Sequence, residues 1–146
     1  MEFNPINGVG AALVALMLVP NIVYAVKFPG GENRCTNRVM NLLEQIGRYA
    51  SMALMILPLG VWEFGFASVA EMLVYLLGNA ALLAGYWGTW LLYFRKATAK
   101  RALTLAVLPT CIFLLSGLML RHWLLVAAGA VFGVAHIYVT RENQGA

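Results

Sequence analysis

Residues 71–101 read EMLVYLLGNAALLAGYWGTWLLYFRKATAKR: a single acid, Glu71, an uncharged apolar run from Met72 to Phe94, then Arg95, Lys96, Lys100 and Arg101. A helix of about 20 apolar residues crosses the hydrocarbon core of a bilayer. Loops rich in Lys and Arg stay on the cytoplasmic side, so the charges at the two ends predict Glu71 outside and Arg95 inside.

The rest of the chain threads around this span. Of its 146 residues, 62% are hydrophobic and 11% charged, where a water-soluble domain carries roughly a quarter. A soluble fold is thereby excluded, and residues 1–146 are expected to form a single transmembrane domain with short loops. The net charge of +4 collects in juxtamembrane loops, where orientation and anionic lipid account for it; membrane lipid, not nucleic acid, is the expected partner. Cys35, in a loop, and Cys111, in a span, lie too far apart in the chain to suggest a metal or redox pair. Met1–Pro5 lacks the basic region of a cleavable signal, so the first apolar run is expected to be retained.

The expected spans are residues 8–26, 49–66, 71–94, 102–120 and 123–139. Between the first two, Phe28-Pro29-Gly30-Gly31 signals a turn, and Arg34 and Arg38 place the loop in the cytoplasm. Thr36 is the expected cap of a short amphipathic helix there. Val39, Leu42, Leu43 and Ile46 form its apolar stripe and Glu44 pairs with Arg48 at i,i+4, so the helix lies on the inner surface or runs straight into the second span. Trp62 to Ser68 reads as an outer interfacial turn. In this arrangement all of the ten Lys and Arg residues except Arg121 fall inside. The expectation is an all-α integral membrane bundle of five transmembrane helices in the cell (inner) membrane. Its N-terminus is outside and its C-terminus cytoplasmic. No internal repeat is evident.

Small residues mark close helix contacts. Gly129-x-x-x-Gly133 in the fifth span, and Gly78, Ala81, Gly85 and Thr89 along one side of the third, allow either tight packing within the bundle or a homo-oligomer through Gly129 and Gly133. On the neighbouring side of the third span Tyr75, Asn79, Tyr86, Trp90 and Tyr93 line up at helical spacing. A polar and aromatic stripe of this kind faces protein or water, because lipid does not reward Asn79 at mid-depth. Pro20, Pro58 and Pro109 each free a carbonyl one turn earlier and bend a span, which favours a central void. Counted along the helices, Asn21 and His136 come to similar depths in the inner half, with Thr110 near that level and Asn79 shallower, so that the four could meet. The ligand-binding candidates are therefore Asn21, Asn79, Tyr86, Trp90, Thr110 and His136, around a pocket closed by Tyr86 and Trp90. His136 is their one readily titratable group near neutral pH. For Asn79 the simpler alternative is a hydrogen bond to a neighbouring helix, and for His136 a packing role.

At the other surface Glu63, Glu71 and His122 come from different spans at one depth and form a weak metal or proton-relay candidate. No catalytic residue and no cofactor is expected. His122 and His136 stand 14 positions apart, about 20 Å of helix, too far to ligate one haem within a protomer. Gly-rich phosphate loops, zinc His-Glu signatures and CxxC pairs are missing from the sequence.

The span count, the length and the long first cytoplasmic loop with its helix resemble the tryptophan-rich sensory (translocator) proteins, which bind porphyrins and sterols. That resemblance is architectural. The Trp- and Pro-rich segment after that family's first span has no counterpart in Lys27-Phe28-Pro29-Gly30-Gly31, and no ligand residue carries over. Three functions fit the sequence: binding or transport of a small organic molecule through the inner-half pocket, an enzyme acting on a lipid or prenyl substrate, and a non-catalytic assembly subunit. The first is the leading expectation.

Overall fold

A computed structural model describes residues 8–27, 36–57 and 68–143. These form five α-helices: α1 (Gly8–Lys27), α2 (Arg38–Ile56), α3 (Val69–Arg95), α4 (Ala99–Met119) and α5 (Trp123–Asn143). The chain is all-α over the described residues. Four helices, α1, α3, α4 and α5, are long and apolar enough to cross a membrane, so the protein is a small multi-pass membrane protein by helix composition.

Local chemistry sets the helix ends. Ser68 and Thr98 accept the backbone N–H of Glu71 and Arg101 at 3.2 Å and start α3 and α4. Arg101 donates to the carbonyls of Leu92 and Lys96, at 2.9 and 2.7 Å, and so satisfies the C-terminal end of α3 with a cation. Between α4 and α5 the chain reverses through Arg121, whose φ of 53° is left-handed, while the N–H of His122 reaches the Gly117 carbonyl at 2.8 Å.

α2 departs from expectation at its cap and takes the second of its two expected courses. Its cap is Asn37, which accepts from the Met40 N–H at 3.2 Å, rather than Thr36. It is one helix from Arg38 to Ile56, joining the loop helix to the beginning of the second span. Leu57 is extended, the backbone that a residue preceding proline prefers. Pro58 and the remainder of that span to residue 66, the outer turn with Glu63, the Phe28–Gly31 turn, Arg34 and Cys35 all lie outside the described residues.

The helices alternate in direction. Asn21, Tyr24 and Lys27 of α1 meet Tyr86, Trp90 and Phe94 of α3 in the same order, so those two are parallel. Ser116 pairs with Asn79, and Gly85 touches Leu108, so α4 runs against α3. Gly129 and Gly133 of α5 face Phe113 and Thr110 of α4, placing this small-residue motif against a helix of the same chain. Glu44 lies beside His136, and Gly47 beside Phe132, so α2 runs against α5. One end of the bundle therefore gathers Lys27, Arg38, Arg95, Lys96, Lys100, Arg101 and Arg141, while Glu71, Arg121 and His122 lie at the other.

The helix faces follow the logic of a membrane protein. Val39, Leu42 and Ile46 of α2 are exposed, whereas Glu44, Gly47, Ser51 and Met55, at spacings of three and four, form its buried face. The apolar stripe points outward and the small and polar residues point in. Tyr75, Asn79, Tyr86 and Trp90 are the buried residues of α3, so the aromatic and polar stripe faces the bundle. On its small-residue side Gly78 contacts Leu115 and Ala81 is exposed.

Candidate functional site

Each helix brings a few residues to a cavity of about 180 Å³. α1 gives Met17, Leu18 and Asn21, and α2 gives Arg48, Tyr49 and Met52. α3 supplies Tyr86, α4 Pro109 and Phe113, and α5 Phe132 and His136. Counted at about 1.5 Å per residue, Asn21, Tyr86, Pro109 and Arg48 stand roughly 10–15 Å from the basic end of the bundle.

Two prolines help to shape it. Pro20 removes the N–H that would bond the carbonyl of Leu16, and the indole N–H of Trp87 on α3 takes that carbonyl at 2.8 Å. One residue on, the Asn21 side-chain amide donates to the Met17 carbonyl at 2.8 Å and to the Tyr86 hydroxyl at 2.7 Å. α1 is thus fastened to α3 around Pro20, with Asn21 and Tyr86 at the cavity wall. Pro109 stands in the opposite wall.

The charged part of the site comes from α2 and α5. Arg48 donates to Glu44 at 2.5 Å along one face of α2. The second carboxylate oxygen of Glu44 lies 3.5 Å from Nδ1 of His136. Both of those atoms are buried and have no hydrogen-bond partner, so they face each other without a bond. Glu44 is 5% exposed, and a carboxylate is costly to bury without compensating partners. Arg48 supplies one and the imidazole faces the remaining oxygen. Phe132 stacks on His136 at 4.8 Å between centroids, and the Arg48 guanidinium lies 6.0 Å from the same phenyl ring. Gly47 permits this approach, because a Cβ there would sit 2.8 Å from the Phe132 backbone.

Of the residues singled out in the sequence, Asn21, Tyr86 and His136 line this cavity. Trp90 lies directly behind it, edge-on to Tyr86 at 6.3 Å and packed against Tyr24 and Phe94 at 5.3 Å each. Asn79 and Thr110 stand elsewhere. Asn79 donates to the Ser116 hydroxyl at 3.1 Å and ties α3 to α4, while Thr110 bonds back to the Ala106 carbonyl at 3.1 Å beside Gly133. Of the metal candidates, Glu63 is outside the described residues, Glu71 sits in the first turn of α3, and His122 is buried in the α4–α5 turn. Among the described residues no three His, Cys, Asp or Glu side chains converge.

Sequence reasoning passed over Glu44 and Arg48 as site residues, treating them as an i,i+4 pair on a helix that lies on the inner surface or runs into the second span. A signal was present: Glu44, Gly47, Ser51 and Met55 form a small and polar stripe of the kind that packs between membrane helices. Compared with known protein families, curated proteins and solved structures, the chain has no match in any of the three.

Proposed function

We propose that this chain binds or transports a small organic molecule in the cavity shared by its five helices, within a bundle whose basic end faces the cytoplasm. The carrying observation is the cavity itself. Apolar walls from Met17, Met52, Phe113 and Phe132 surround a few convergent polar groups, Asn21, Arg48, Tyr86 and His136, the usual make-up of a ligand site. Its volume of about 180 Å³ is below the roughly 300 Å³ typical of drug-sized pockets, so the reading is a small metabolite rather than a porphyrin or sterol.

The orientation rests on charge. Lys27, Arg38, Arg95, Lys96, Lys100, Arg101 and Arg141 share one end, and basic loops stay in the cytoplasm. α2 packs lengthwise on α5 with Val39, Leu42 and Ile46 turned outward, which supports α2 as the beginning of a fifth membrane span. The N-terminus is then outside.

Native mass spectrometry of the protein released from detergent tests the reading. A co-purified small molecule that is lost in a variant filling the cavity, Met17→Trp, is the expected result. Identical spectra for both proteins, with no bound molecule in either, refute it. A fluorescent reporter fused after residue 146, active in the cytosol and silent outside, checks the orientation.

A further inference from the structure

Resting on the reading of the cavity as a ligand site, we infer that its ligand is a small carboxylate, or a similar monoanion, and that it binds together with one proton carried by His136. The first argument is the hydrogen-bond inventory. Asn21 has committed its side-chain N–H groups to the Met17 carbonyl and to Tyr86. The Tyr86 oxygen accepts that bond and retains its own hydrogen to give. Arg48 uses one nitrogen on Glu44, its guanidinium holds five N–H donors, and the residue lines the cavity. The carboxylate of Glu44 is occupied by Arg48 on one oxygen and faces His136 with the other. The donors left for a ligand are Arg48 and the Tyr86 hydroxyl, beside the Asn21 side-chain oxygen as an acceptor, in a chamber with apolar walls. That is the complement of an anionic head on a small apolar body.

The second argument is charge. Glu44 and Arg48 cancel each other, so the empty site is neutral while the imidazole is neutral. An anion entering a low-dielectric bundle alone leaves an unbalanced charge, which is costly. A proton must accompany it. The Glu44 oxygen faces Nδ1 at 3.5 Å without a hydrogen bond between them, a distance at which the two pair once the ring carries a proton. A proton taken from water makes an imidazolium that both Glu44 and the anion stabilise. Glu44 and Arg48 of α2, Tyr49 beside them and Tyr86 of α3 are the titratable groups facing His136 across the cavity; α1 and α4 present only Met17, Leu18, Asn21, Pro109 and Phe113. Imidazole is the only one of these groups that ordinarily changes charge near neutral pH.

The test is calorimetric titration of the purified full chain with acetate and benzoate, and with acetamide and benzamide, each in two buffers of different ionisation enthalpy. The expected result is binding of the carboxylates with uptake of about one proton per anion. Their affinity should fall about tenfold for each pH unit of rise on the alkaline side of the imidazole titration. His136→Gln should abolish the proton uptake. The double variant Glu44→Gln with Arg48→Gln, which keeps the site neutral, should lose carboxylate binding. Carboxylate binding with no proton uptake, or with uptake that survives His136→Gln, overturns the proposal. Equal or tighter binding of the amides overturns it while leaving the ligand cavity standing. Binding of none of the four overturns it too, and the cavity reading is then judged by the co-purified molecule alone.

Discussion

Replacing Gly47 with alanine tests the joint on which the site depends. The added methyl would sit 2.8 Å from the N, Cα and Cβ of Phe132, where carbon atoms settle at about 3.5–4.0 Å. Because two of the three are backbone atoms, no rotamer of Phe132 relieves the clash. α2 and α5 must move apart by about 1 Å, and overpacking of this kind costs about 1–3 kcal/mol. The same shift acts on Glu44, one turn away on α2: its 3.5 Å approach to His136 would open to about 4.5 Å, beyond the roughly 4 Å limit of an ion pair. Equilibrium unfolding in mixed detergent micelles should therefore show Gly47→Ala destabilised by about 2 kcal/mol, a factor of roughly 30 in the folding equilibrium. The Phe132→Ala background supplies a control. It keeps the offending backbone atoms and the Cβ, so the penalty for Gly47→Ala should persist there. A penalty below about 0.5 kcal/mol, or one that vanishes with Phe132→Ala, would show that α2 does not lie on the α5 backbone.

Two further contacts make independent expectations. In a double-mutant cycle, Asn79→Ala and Ser116→Ala should couple by about 0.6–1.7 kcal/mol, the range for hydrogen bonds between membrane helices, with ligand binding in the cavity unaffected. Trp87→Phe should cost about 1–2 kcal/mol by orphaning the Leu16 carbonyl. In the Pro20→Ala background, where the helix N–H returns to that carbonyl, the cost of Trp87→Phe should largely disappear; undiminished cost would mean that the indole acts through packing alone.

How much was legible depended on which face of each helix the sequence could assign. The apolar runs near Gly8–Lys27, Val69–Arg95, Ala99–Met119 and Trp123–Asn143 declare themselves by length, and the inner end of the third by the basic cluster after Phe94, whereas the caps Ser68 and Thr98 were not read in advance. The stripe of Tyr75, Asn79, Tyr86 and Trp90 could be assigned to the inside because lipid penalises Asn79 on any other face. Asn21 and His136 could be brought to one depth by counting residues, since helix rise is constant. Thr110 counted near that depth and Asn79 shallower, and neither reaches the cavity: Asn79 shares the buried stripe of Tyr86 but stands about two turns away along α3, and Thr110 is turned to Gly133, a rotation that spacing alone does not reveal. α2 was ambiguous for a different reason. Its stripe of Val39, Leu42, Leu43 and Ile46 fits the membrane surface under the rule for amphipathic helices beside water as well as it fits a direct run into the second span. That rule holds when the polar face meets solvent. Here the polar face meets α5, and Glu44 is solvated by a guanidinium and an imidazole instead of water.

That inversion has a consequence for assembly. α2 carries Arg38, Glu44 and Arg48 within its 19 residues, and charged side chains near a helix centre cost about 2.5–3.5 kcal/mol each on insertion. The other helices, by contrast, are apolar enough to insert alone. Only after α5 is present can Glu44 face His136 and Gly47 nest against Phe132, so α2 should settle into the bundle last, although it is made early. A chain ending at residue 122, before α5, is expected to hold α2 at the interface. A cysteine placed at Tyr49, in a background lacking Cys35 and Cys111, should then react with a membrane-impermeant maleimide added to inside-out vesicles, and react much more slowly in the full chain. Equal reactivity in the truncated and full chains would mean that α2 reaches its depth without α5, and that the buried charges on its inner face are accommodated by α1, α3 and α4 alone.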